Sequence, residues 1–233
     1  EIRLSLVGSE MCIRDRITTT YGVEALCRPC DLSDPASRKE LTDELRTLDV
    51  TILCNDAGTA TFGSVAKLPE EKEHLQFQLN ASTVHELVLA VLPRMIERGE
   101  GAILNVGSAA GNMPIAYNAT YAGTKAFVNI FSESLHDELK GYGINVTLLA
   151  PGPVRPSDKP KSEETFLDRM IPAFMWANSD QVAEQSLAAL ARNKRRIVPG
   201  AIGKMLNAVG YLPHMITSPI NKLSYGALAG DNK

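Results

Sequence analysis

The chain has 233 residues, a formal charge of −3, and 44% hydrophobic, 22% charged and 6% aromatic content. That is enough for one large domain with a sizeable core, and its near-average composition excludes disordered, collagen-like and coiled-coil classes. No apolar run reaches the ~18 residues of a membrane-spanning helix, and no basic-then-apolar leader is recognisable. Four cysteines are too few for a disulfide scaffold and fit a reducing, cytoplasmic interior. The internal His136-Asp137-Glu138-Leu139 is no retention signal, because such signals are read only at a C-terminus.

In chain order, Leu6–Arg16 (LVGSEMCIRDR) comes first and has neither helical nor strand periodicity. From residue 17 onward, helical patterns alternate with β-branched runs, which predicts βαβ units and a parallel sheet. Glu24–Cys30 is a first expected strand, followed by Asp31-Leu32 and a helix capped by Ser33 or Asp34 with Pro35 in its first turn. Val50–Asn55 is the next strand, opening into Asp56-Ala57-Gly58. A long helix starts at Pro69, with one apolar stripe through Val84, Leu87, Val88, Val91, Leu92, Met95 and Ile96, and ends at Gly99 and Gly101. Strand Ala102–Val106 follows, then a helix from Asn118 to Lys140 that stops at Gly141 and Gly143. Strand Ile144–Leu149 runs into Pro151-Gly152-Pro153. Helices near 163–171 and 179–192, a short strand at Ile197-Val198, and an amphipathic helix over Ala201–Leu212 complete the pattern.

Charge is uneven. Residues 192–233 hold seven basic side chains against Asp231 alone, so the rest of the chain is acidic. A basic, semi-apolar tail suits anionic lipid or an acidic acyl carrier as a partner, or a solvated face. Arg195-Arg196 is too short for a nucleic-acid patch.

The strongest chemical signal is Tyr121-Ala122-Gly123-Thr124-Lys125. Residues four apart share a helical face, so phenol and ammonium can meet. A neighbouring cation favours phenolate and would bring a group with a pKa near 10 into general acid/base range. On chance alone the pair is weak. However, Ala102–Val106 delivers Gly107-Ser108 at its carboxyl end, where open α/β sheets bind ligands. The strands before Asn55-Asp56-Ala57-Gly58 and Pro151-Gly152-Pro153-Val154 also end in small or rigid residues that let a ligand approach the backbone.

Together, Asp31, the NDAG at 55–58 for the usual NNAG, Asn80, Ser108, Tyr121-x-x-x-Lys125 and the PGPV at 151–154 resemble the short-chain dehydrogenase/reductase family. The resemblance covers essentially all of residues 17–233. It implies a Rossmann-type doubly wound parallel α/β sheet in three layers, and NAD(P)-dependent hydride transfer at a carbonyl. By the same resemblance Tyr121 is the general acid, Lys125 lowers its pKa and holds the nicotinamide ribose, Ser108 orients the carbonyl, and Asn80 supports a water relay to Lys125. Asp31 and Leu32 correspond to adenine contacts, Asn55, Ala57 and Gly58 to the adenosine side, and Pro151, Gly152 and Val154 to the nicotinamide cradle. Members usually assemble through their long helices, which implies a homo-oligomer.

The segments GSAAGNMPIAYNATYAGTKAFVNIFSESL and VTLLAPGPVR look like the actinobacterial mycolate reductases of this family. That implies NADPH, with NADH still open, and the 3-oxo group of a very long acyl chain. Another hydrophobic ketone, another 3-oxoacyl thioester, or a non-catalytic or inactive form of the fold are the alternatives. Leu6–Arg16 resembles one reading frame of the adapter used in transposase-based sequencing libraries, so residues 1–16 are expected to be foreign to the domain. The glycine-rich TGxxxGxG turn and the family's second strand are absent, equivalent to about 40 residues and including the first βαβ segment. In the family's sheet order, that loss separates Glu24–Cys30 from its partners and leaves Val50–Asn55 as an edge. Asp56 and Pro156 depart from the family's usual Asn and Thr.

Cys27-Arg28-Pro29-Cys30 has CxxC spacing but no second pair for zinc, and His74, His85, His136 and His214 show no ligand spacing, so no metal site is expected. Trp176, with Phe174 and Met175, is either a wall of the substrate pocket or a core filler.

Overall fold

The structure, a computed structural model, describes residues 13–155 and 175–211 together with positions 219 and 222. Its elements are helix α1 (residues 13–21), α2 (Pro35–Leu45), β1 (Ile52–Asn55), α3 (Glu70–Phe77), a π turn (Gln78–Ser82), α4 (Thr83–Arg98), β2 (Gly101–Val106), α5 (Ala119–Leu139), β3 (Ile144–Leu149), β4 (Val154–Arg155), β5 (Ala177–Asn178), α6 (Ser179–Ala191), β6 (Arg196–Ile197) and α7 (Ala201–Val209).

β1, β2, β3 and β6 form a four-stranded sheet in that order, parallel throughout. Alternation along the strands sends Ile103, Ile144 and Val146 to one face, where they pack on Val88, Val91 and Met95 of α4 and on Leu135 and Leu139 of α5. Leu104 and Leu149 point to the other face and meet Val182 and Leu190 of α6. Helices cover both faces of the sheet, giving the three-layer Rossmann-type architecture. β4 and β5 make a separate two-stranded parallel ladder that the sequence did not signal.

Two N-terminal expectations are corrected. Residues 22–30 contain no strand where Glu24–Cys30 was expected to form one. A strand needs a ladder partner to be stable, and none lies beside this segment among the described residues. β1 pairs only with β2 there, so its outer edge is open, and Ile52 is 53% exposed. Residues 13–21, by contrast, are helical, and the helix begins inside Leu6–Arg16, where no helical period is visible. Local bonds support that helix, including one from the Thr19 hydroxyl to the Asp15 carbonyl at 2.8 Å, and none of its residues is buried. The expected helix near 163–171 lies outside the described residues, as do Pro156, Phe174, His214 and the chain from 212 onward apart from the two positions named.

Elsewhere the local signals work as physics dictates. Asp34 caps α2 by accepting from the Ser37 amide at 2.8 Å, with Pro35 just inside. Gly99 ends α4 in the left-handed conformation (φ 71°). The expected long helix from Pro69 is continuous but passes through the π turn, whose buried residues are Asn80 and Ala81.

Arg38 of α2 is the charged side chain most committed to this packing, at 2% exposure. Its guanidinium donates to both Glu86 oxygens (2.7 and 2.9 Å), to Gln78 Oε1 (2.9 Å) and to the Leu32 carbonyl (2.8 Å). One fork thus ties the loop before α2 to the π turn and to α4. Arg38 in turn holds the Glu86 carboxyl below its usual range. Removing Glu86 leaves a buried guanidinium without its counter-charge. Since Glu86 is itself 38% exposed, Glu86→Ala should cost about 2–3 kcal/mol, somewhat less than the roughly 3–5 kcal/mol of a fully buried pair. Urea unfolding of the variant checks this, and a loss under about 0.5 kcal/mol, as for ordinary surface pairs, would contradict it.

Candidate functional site

Three adjacent strands bring the site together at their carboxyl ends. β1 ends in Asn55 and the turn Asp56-Ala57-Gly58, β2 in Gly107-Ser108, and β3 in Ala150 and the Pro151-Gly152-Pro153 turn. The Gly107 amide continues the β2–β3 ladder by donating to the Leu149 carbonyl at 2.8 Å. Next to it, Ala109 N–H donates to the Pro151 carbonyl at 3.1 Å. Ser108 is extended (φ −167°) and caps a short 3-10 turn, its Oγ accepting from the Ala110 amide at 3.1 Å.

α5 crosses above these ends and carries Tyr121 and Lys125 one turn apart. The Lys125 ammonium lies 5.9 Å from the Tyr121 ring centre and donates to the Val106 carbonyl at 2.8 Å. The expectation that Lys125 lowers the phenol pKa is corrected here. Burial pushes the Tyr121 phenol up, and the opposing influence is a hydrogen bond with the Ser108 side chain. The ammonium is turned toward the Val106 carbonyl at the end of β2, and removal of the phenol from water is the larger influence on its pKa. Burial also brings Lys125 down to about 8, partly offset by the Asp56 carboxylate, the residue that replaces the usual Asn. Four residues before the phenol, Tyr117 holds a left-handed backbone (φ 64°), and its carbonyl accepts from Gly63 N–H at 2.8 Å. For a bulky residue that is a strained position, of the kind that gathers at functional sites.

Asn80 is fully buried in the π turn. Its side chain accepts from Thr59 N–H (2.9 Å) and donates to the Thr59 carbonyl (2.9 Å) and the Thr124 hydroxyl (3.2 Å). It therefore fixes the loop after Gly58 against α5. A Cβ on Gly58 would come within 3.3 Å of Asn80 Oδ1 and 3.6 Å of Lys125 Nζ. So Gly58, Asn80, Ser108, Tyr121 and Lys125 form one group. The Asn55 side chain instead turns into the sheet, donating to Asn105 Oδ1 at 2.9 Å, and Asn105 donates to the Ser132 hydroxyl at 3.0 Å. Asp31 accepts from the Ser33 amide and hydroxyl at 3.1 and 2.6 Å, and the Leu32 carbonyl belongs to the Arg38 cluster. Gly152 packs on Gly203 of α7, where an added Cβ would meet Gly203 Cα at 3.1 Å, and Val154 lies in β4.

Behind that turn is a cavity of about 310 Å³, lined by residues including Met175, Trp176, Gln181 and Ile202. Trp176 thus borders open space. His136 is a core histidine whose Nδ1 lies 2.7 Å from the Val146 carbonyl. Sequence reading missed Asn129, which contacts both backbone groups of Ser108, and Arg196, which reaches Glu133, Asn112, Asn207 and Tyr211. For Asn129 a signal existed, since Tyr121, Lys125 and Asn129 make a polar row at four-residue spacing.

The sequence profile described as short chain dehydrogenase matches residues 10–166, more than half of the chain. The chain belongs to the short-chain dehydrogenase family. The very-long-chain 3-oxoacyl-CoA reductase of Rattus norvegicus is 31% identical over 217 residues, 91% of this chain and 62% of that protein. The ketoacyl reductase HetN of Nostoc sp. is 30% identical over 133 residues, 56% of this chain and 46% of that one. A short-chain dehydrogenase from Sphingobium yanoikuyae, solved in complex with NADPH, has a TM-score of 0.74 at 27% identity, covering 89% of this chain and 80% of that chain. The present short-chain dehydrogenase chain spans about half the length of the curated relatives it matches.

The residues present suit a dinucleotide along the strand ends. A side chain on Gly58 would stand 3.6 Å from the buried Lys125 ammonium, so the glycine leaves that cation room for a ligand, whereas Gly152 serves the packing on Gly203 of α7. No described helix is long and apolar enough to cross a membrane. Because Lys125 has a folded pKa near 8 against an ordinary 10.5, its burial costs stability below pH 8. That cost fades as pH rises toward the ordinary value, where the unfolded chain also gives up the proton. Denaturant unfolding of wild type and Lys125→Met at pH 7 and pH 10 should show the wild type gaining relative to the variant at high pH. A gap independent of pH would contradict the shifted ammonium.

Proposed function

We propose that this protein reduces the 3-oxo group of a long-chain acyl lipid, of mycolate type, with NADPH as the reductant. The observation that carries the reading is the meeting of Ser108 at the end of β2 with Tyr121 and Lys125 on one face of α5. NADPH would supply the hydride to the carbonyl carbon. Tyr121 gives its phenolic proton to the carbonyl oxygen as charge develops there, and the Ser108 hydroxyl orients that oxygen. Burial keeps the proton on the phenol at neutral pH, as the acid role requires, but also makes it a weaker acid. Lys125 places a cation beside the phenolate left behind and offers donors to the nucleotide ribose. Asn80 braces the Gly58 loop against α5 and supports a proton path to Lys125 through water.

The long acyl substrate is supported by the 3-oxoacyl-CoA and ketoacyl reductases among the relatives, and mycolate specificity by sequence resemblance over ILCNDAGTATFG, LAVLPRMIERGEG and the α5 and PGPV segments. The basic segment from Arg192 onward supports contact with an acidic carrier or an anionic membrane surface. Exposed Leu89 (49%), Phe127 (39%) and Ile130 (65%) on α4 and α5 support a homo-oligomer through the long helices. His85 and Phe131 extend this face, with Phe127 stacked on Phe131 at 5.3 Å.

Tyr121→Phe should lower NADPH-dependent reduction of a long-chain 3-oxoacyl-CoA by about 10²–10⁴-fold, with unchanged circular dichroism. Turnover within two-fold of wild type, measured by absorbance at the nicotinamide band, would remove Tyr121 from the chemistry. Ile130→Glu should shift the chain to monomer in light scattering; an unchanged mass would place any assembly on another face.

A further inference from the structure

We propose that Asn129 is a positioning residue for Ser108, holding the serine's peptide so that its hydroxyl faces Tyr121. Asn129 lies two turns beyond Tyr121 on α5 and is 1% exposed. Its Nδ2 donates to the Ser108 carbonyl at 2.9 Å and to Asn112 Oδ1 at 3.1 Å, and its Oδ1 accepts from the Ser108 amide at 3.3 Å. Both amide hydrogens and the carbonyl oxygen are engaged, and two of the three bonds grip one residue from opposite sides. Only a primary amide presents donor and acceptor together in this way.

The fit is tight as well as polar. Gly107 leaves the space the amide fills, since a Cβ there would overlap Asn129 Oδ1 and come within 2.8 Å of Leu148 Cδ1. One turn earlier, Lys125 holds the Val106 carbonyl. Residues 106–108 are therefore bound at three backbone groups by two side chains of the helix that carries the phenol. Asn112, the third partner, receives Arg196 Nη1 at 3.3 Å and donates to Asn207 Oδ1 at 2.7 Å, so the clamp is anchored to β6 and α7. Ser108 thus takes its position from α5 itself, in register with Tyr121. An error of about 1 Å in such placement is worth up to roughly 100-fold in rate.

The kinetic side of this inference rests on the ketoreductase reading; a second measurement does not. Asn129→Leu keeps approximate shape and removes all three bonds. It should lower kcat by about 10–100-fold with the KM for NADPH within two-fold. The double variant Ser108→Ala/Asn129→Leu should be no slower than Ser108→Ala alone, because Asn129 acts through Ser108. Multiplicative losses, or wild-type kcat in Asn129→Leu, would overturn the proposal. Amide hydrogen exchange, which needs no activity, should speed up at Ser108 in Asn129→Leu by about ten-fold or more while the α5 amides stay protected. Unchanged exchange at Ser108 overturns the clamp. If the wild type reduces no 3-oxoacyl substrate, the functional reading fails and the exchange result alone decides. Should Asn129→Leu not fold, Asn129→Ser carries the same comparisons.

Discussion

Two side chains one turn apart on α5, Lys125 and Asn129, hold three backbone groups at the carboxyl end of β2. The rest of the site depends on that attachment. β2 lies between β1 and β3, so fixing its end also sets the turns that leave its neighbours. The apolar seam of Leu135 and Leu139 on Ile103, Ile144 and Val146 supplies the packing that lets α5 lie against the sheet. Dispersion and burial hold the helix down without fixing its register to a fraction of an ångström. The directional bonds of Lys125 and Asn129 to the end of β2 do that.

Burial acts on the site's two titratable groups in opposite directions on the pKa scale but toward the same outcome, favouring the neutral form of each. The phenol rises and the ammonium falls to about 8. Asp56 resists the second shift. A carboxylate in the first turn after β1 therefore tunes the buried lysine. This departure from the family's usual asparagine changes the electrostatics around Lys125.

Elements whose stability is local or strongly periodic could be read from the sequence. The apolar stripe of α4, the Asp34-Pro35 start of α2 and the left-handed Gly99 stop each depend on residues a few positions apart. The buried strands β2 and β3 were visible as apolar runs bounded by glycine. Glu24–Cys30 has the composition of a strand, but a strand exists only with a partner, and the sequence signal that decides the outcome is the absence of the family's neighbouring strands. The Tyr121/Lys125 pair was legible from spacing, yet the direction of the phenol shift was not. That direction depends on burial and on where the ammonium turns. Asn129 and Arg38 escaped for the same reason, since apart from the Arg38 bond to the Leu32 carbonyl their bonds run to residues 17 to 48 positions away along the chain.

The proposed role of this arrangement at the end of β2 is the reduction of a carbonyl by hydride transfer. The direct measurement is to supply the protein with NADPH deuterated at the transferable position of the nicotinamide, together with a long-chain 3-oxoacyl-CoA. Mass spectrometry then reads the product. The expected result is a 3-hydroxyacyl product carrying one deuterium on carbon 3, formed in proportion to the nucleotide oxidised. Folded protein that binds the nucleotide yet gives no deuterated product from any long-chain 3-oxoacyl substrate would contradict it.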